Sequence, residues 1–168
     1  MSFVKTNISP LHKKRFATYL GMSLSNPSLP EAIKNAFWMY YIPDENETYV
    51  LNDRKEAAFF GLTLMCALND FELKDKDAFE TRLKLLMNEG TESNKRRLNA
   101  IFMSNMTTTA EYVETLGHVI KRDEMLKHIK RIDINKLIYD LIGLGNVYQS
   151  AKIKQRWASK IYTIDERN

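Results

Sequence analysis

The chain has 168 residues, 44% hydrophobic and 27% charged, which suits a soluble globular protein with one continuous core. Its 25 Lys and Arg against 21 Asp and Glu give a formal charge of +4, and its one cysteine, Cys66, excludes an internal disulfide. No apolar run approaches the roughly 18–20 residues of a bilayer span, and Met1-Ser2-Phe3-Val4-Lys5 lacks the apolar stretch of a signal peptide, so a cytoplasmic protein with no membrane partner is expected.

With only 6 Gly and 4 Pro and no strongly alternating segment, the pattern predicts an all-α protein. A first helix is expected over Pro10 to Leu20, with proline in its first turn. After the loop Ser25-Asn26-Pro27-Ser28-Leu29-Pro30, an aromatic helix should run from Glu31 to Tyr41 and stop before Pro43. Asp53-x-x-Glu56 has the form of a capping box opening a buried helix that ends near Leu68. Asn69 to Asp77 reads as a charged connector, and its carboxylates fit no EF-hand spacing. Phe79, Leu83, Leu86 and Met87 mark an amphipathic helix ending at Gly90.

The next helix is expected to follow Thr91-Glu92-Ser93-Asn94, with Leu98, Ile101 and Phe102 as its apolar face and Lys95-Arg96-Arg97 in its first turn. Thr108-x-x-Glu111 is a second capping box, ahead of Tyr112, Val113, Leu116, Val119 and Ile120 at helical spacing. A short basic helix over about Asp123 to Lys130 follows. Another carries Leu137, Ile138, Leu141 and Ile142 and ends at Gly143 or Gly145, and a last one runs from about Ser150 to Tyr162. The whole is a compact bundle of about eight or nine helices in one domain, residues 1–168, with two packed lobes, 1–90 and 91–168.

Charge is unevenly placed: residues 91–168 hold 14 basic and 9 acidic residues, whereas 51–90 hold 6 and 8. Cations in a first turn oppose the helix dipole by about 0.3–1 kcal/mol each, so Lys95, Arg96 and Arg97 make more sense as partners of an anion such as phosphate. At 100° per residue Arg96 lies about 160° from the centre of the apolar face and points to solvent. In the last helix Lys152, Arg156 and Lys160 form one stripe beside the apolar stripe Ile153, Trp157 and Ile161, with cations roughly 6 Å apart. Lys13, Lys14 and Arg15 form a third cluster. Each alone fits a solvated helix face; together they suggest a polyanion partner.

Catalytic signals are sparse. His12, His118 and His128 have no metal-ligand spacing, and there is no HExxH, CxxC, Walker loop or GxSxG. The segment from Arg122 to His128 resembles the Arg–polar–His motif of HEPN-type ribonucleases; the favoured alternative is a surface Arg and His on a helix that buries Met125, Leu126 and Ile129. No cofactor is implied.

Over residues 30–162 an ordered series of segments resembles the small subunit of the type I-E CRISPR Cascade complex, the CasB family. The segments are Phe37-Trp38-Met39-Tyr40, Asn52-Asp53-Arg54-Lys55-Glu56-Ala57-Ala58, Phe79-Glu80-Thr81-Arg82-Leu83-Lys84-Leu85-Leu86, Ser93-Asn94-Lys95-Arg96-Arg97-Leu98, Ile132-Asp133-Ile134-Asn135-Lys136-Leu137, and the basic helix bearing Trp157. The resemblance implies a non-catalytic, all-helical subunit, present in two copies beside the other Cascade subunits. Such a subunit contacts the crRNA and target DNA, holds the displaced strand and stabilises the R-loop. It also implies that Arg54, the pair Arg96 and Arg97, and Lys152 and Lys154 contact nucleic acid, with Lys13, Lys14 and Arg15 matching an N-terminal basic pair. The chain departs from the family in having less sequence for an additional N-terminal helix, and Met103 and Met106 stand where some members carry arginines. A helical module binding acidic proteins is the remaining alternative.

Overall fold

The apolar run beginning at Ala57 becomes the centre of the molecule. In the computed structural model, which describes residues 2–44, 52–120 and 129–163, eight helices form and no strand does among these residues. They are α1 (Pro10–Thr18), α2 (Glu31–Tyr40), α3 (Asn52–Leu68), α4 (Phe79–Glu89), α5 (Glu92–Met103), α6 (Thr109–Ile120), α7 (Ile134–Leu144) and α8 (Ser150–Tyr162). The short helix expected over Asp123 to Lys130 falls mostly outside the described residues.

Helix α3 is apolar on every side, and its residues from Glu56 to Cys66 are all buried. Such a helix needs neighbours all round, and α1, α6 and α7 supply them. Gly61 permits a close approach of α7: a Cβ there would sit 2.5 Å from Cδ1 of Ile138 on α7. Outside this nucleus α2 packs on α1, α5 on α6 and α4, and α8 on α4 and α7. The α4–α5 turn at residues 88–93 is where the sequence suggests a division into two lobes, yet buried side chains from both sides of it join one hydrophobic cluster.

Local chemistry sets the helix ends. Ser9 caps α1, accepting from the His12 amide, and Pro10 takes the first helical position. At Thr108 the capping bond forms: Thr108 Oγ1 accepts from the Glu111 amide at 3.3 Å, and its hydroxyl donates to Glu111 Oε1 at 2.9 Å. Asp133 caps α7 through the Lys136 amide, and α7 ends at Gly145. The box expected at Asp53 and Glu56 does not form. Glu56 instead crosses to the loop after α1, accepting from Ser23 Oγ and from the Leu24 and Ser25 amides at 2.8–2.9 Å. Asp53 faces Thr109; burial pushes its carboxyl pKa up, and hydrogen bonds from Thr109 offset part of that rise.

Candidate nucleic-acid interface

Helix α5 begins three residues earlier than the cation triplet. Thr91 is the cap, accepting from the Asn94 amide at 3.2 Å, so Lys95, Arg96 and Arg97 occupy the fourth to sixth helical positions. This corrects the first-turn placement. The first turn holds Glu92, which suits the positive end of the dipole. Lys95 Nζ lies 3.4 Å from Glu92 Oε1, and its amide already bonds the Thr91 carbonyl, so the triplet adds side-chain charge and no free amides. The facing follows the helical wheel: Leu98 and Ile101 are buried, Lys95 and Arg97 half-buried, and Arg96 exposed. Arg96 makes no ion pair among the described residues; its one bond runs from Nε to the Glu92 carbonyl at 3.5 Å. Arg97 turns toward α6, lining a groove of about 350 Å³ with Ala100, Thr115 and His118, and its Nη1 is buried without a hydrogen-bond partner among the described residues.

On α8 the two stripes also hold. Ile153, Trp157 and Ile161 are buried, which anchors the helix with about 1.5–3 kcal/mol per side chain. Lys152, Arg156 and Lys160 face outward. They are not equivalent, because α8 lies beside α4 and α7. Arg156 donates from Nη2 to Asp140 Oδ2, and its Nε is 3.4 Å from Glu80 Oε1. Asp140 also accepts from the Trp157 indole at 3.2 Å. Burial opposes the Arg156 charge, but Asp140, aided by Glu80, outweighs it and holds the guanidinium pKa above its ordinary value. Arg156 therefore neutralises two buried carboxylates and is a structural cation first. Lys152 and Lys160 have no ion pair among the described residues. Lys154 is half-buried, its Nζ 3.4 Å from the Ser104 carbonyl and 5.4 Å from the centre of the Tyr112 ring.

Arg54, which the resemblance places against nucleic acid, folds inward in this structure. Its guanidinium is buried, donating to Tyr41 Oη at 2.5 Å and to the Ile42 carbonyl at 2.9 Å, and it stacks over Phe3 and Tyr41. As folded it ties the N-terminal segment to α3 and presents no edge to a phosphate. Within the α1 cluster, Lys14 and Arg15 are exposed, whereas Lys13 is half-buried with Nζ 4.3 Å above the Phe71 ring. Arg122 and His128 lie outside the described residues.

Two cations escaped the sequence stripes. Lys84 on α4 borders a groove of about 520 Å³ with Glu80, Arg156, Ser159, Lys160 and Thr163. Lys136 on α7 reaches Glu80 Oε1 at 3.7 Å. Both come from helices with no cationic run, so only packing of α4, α7 and α8 brings them together. No group of three or more His, Cys, Asp or Glu side chains placed to hold a metal occurs among the described residues. Nor is any helix there long and apolar enough to cross a membrane. No family model, curated protein or solved structure matches this chain.

Proposed function

We propose that this protein is a non-catalytic, sequence-nonspecific nucleic-acid-binding subunit of a type I-E Cascade complex in antiviral defence. In that assembly it would contact crRNA and target DNA, other Cascade subunits and a second copy of itself in the cytoplasm. The ordered segment resemblance suggests the complex. The observation that carries nucleic-acid binding is the outward set Arg96, Lys152 and Lys160, without ion pairs among the described residues and held on helices whose opposite faces are locked in the core.

The physical role is coherent. R-loop formation exchanges one duplex for another at nearly balanced free energy, so a few phosphate contacts can tip it. Sequence is read by guide pairing, so the subunit needs backbone contacts alone. The test is target-DNA binding by the assembled complex as a function of salt. Replacing Arg96 and Arg97 together by alanine should weaken binding and lower the log–log salt slope by about 0.7–0.9 for each phosphate no longer neutralised. Unchanged affinity and slope in a folded double variant would reject this role for the turn.

A further inference from the structure

The groove between α4 and α8 carries a feature that a plain phosphate site does not need. Glu80 lines it, is 5% exposed, and stands among Lys84, Arg156 and Lys160. Its Oε1 faces Lys136 and Arg156, while its Oε2 is buried and has no hydrogen-bond partner among the described residues. An unpaired carboxylate oxygen is costly to bury, so it calls for a donor. The groove thus combines cations suited to a phosphate with an acceptor suited to an O–H or N–H.

We propose that this groove binds a ribonucleotide backbone, with Lys84 and Lys160 on the phosphate and Glu80 accepting from the ribose 2′-hydroxyl. This rests on the polynucleotide role proposed above and adds which nucleic acid the groove takes. The choice follows from donor chemistry. The sugar-phosphate backbone within a DNA strand offers only acceptors, so Glu80 would meet it unpaired and repelled. RNA carries a donor at every sugar, close to each phosphate, whatever the base. Arg156 and Lys136 offset the Glu80 charge, so the carboxylate does not repel the phosphate held by the two lysines.

The experiment uses the full chain and three oligonucleotides of one length: oligouridylate, its 2′-O-methyl counterpart and oligodeoxyuridylate, compared by fluorescence anisotropy at one salt concentration. Oligouridylate should bind about tenfold tighter than the other two, since each lacks the donor. Lys84→Ala should weaken oligouridylate and shrink that preference, because the backbone is no longer held over Glu80. Glu80→Gln, a weaker acceptor of the same shape, should narrow the preference with less effect on the two analogues. Equal binding of all three, or a preference unaltered by Lys84→Ala, overturns the assignment. If equal binding still falls in Lys84→Ala, the polynucleotide role survives and only the sugar recognition fails. If none of the three binds, both fail. The comparison of ligands on the unaltered protein stands even where Glu80→Gln does not fold.

Discussion

Arg156 and Asp140, one on α8 and one on α7, form an ion pair whose carboxylate also holds the indole of Trp157. The bond ties the basic stripe of α8 to the core residue that anchors it. Asp140 is only 2% exposed, so removing its partner leaves a buried charge in need of one.

Arg156→Ala should therefore lower unfolding free energy by about 1–3 kcal/mol, below the roughly 3–5 kcal/mol of a fully buried broken pair because the arginine is itself half-exposed. Lys160→Ala, on the same stripe, should change it by no more than about 0.5 kcal/mol. Urea titration of the two variants would separate them; equal stability would refute the structural role of Arg156.

Arg96→Ala should likewise leave stability within about 0.5 kcal/mol, since the side chain is exposed and makes no ion pair among the described residues. Arg54→Ala should cost about 2–4 kcal/mol, by emptying a buried site and removing the donor to the Tyr41 hydroxyl and the Ile42 carbonyl. Thermal melts of the pair would show a near-unchanged midpoint for the first and a clear drop for the second.

Glu56→Ala should remove about 2–4 kcal/mol and loosen residues 23–25, because two amides and a hydroxyl lose the carboxylate that accepts from them. Amide hydrogen exchange at Leu24 and Ser25 would report it directly. Protection as strong as in the parent protein would mean another acceptor takes over.

Gly117→Ala should be among the most damaging single-methyl changes. Its Cβ would sit 2.0 Å from Cα of Gly21, which itself has φ +91° and so resists moving to an ordinary conformation. Two backbones touch here, with no flexible side-chain end to give way. A loss of about 3 kcal/mol or failure to fold is expected; a variant with an unchanged melting temperature would contradict this close approach.

Cys66 should resist thiol reagents in the folded protein, because burial pushes its pKa up from 9.0 to about 12 and the thiolate is the reactive form. Between those two values the unfolded thiol loses its proton while the folded one keeps it, so this group's contribution to stability falls as pH rises. Cys66→Ala should fall less steeply above pH 9 in urea titrations than the parent does.

Much of this was legible along the chain. Helical spacing located α1 to α8 within a few residues, and it placed Arg96 outward and Trp157 inward, because periodicity is a local property of the backbone. Capping was less secure. The same Ser/Thr/Asp-x-x-Glu pattern closed on itself at Thr108, but at Asp53 it lost Glu56 to Ser23, 33 residues away. A buried carboxylate satisfies whichever donors the fold brings nearest.

The charges divide in the same way. By itself the sequence determined the all-helical class, the helix faces and the basic excess after residue 91. Only the tertiary structure decided which cations remain free. Arg54 is consumed by Tyr41 and Ile42, Arg156 by Asp140 and Glu80, and Lys84 and Lys136 join the α8 stripe from other helices. A helical wheel fixes the direction of a side chain, whereas its partner is set by whichever helix packs against that face.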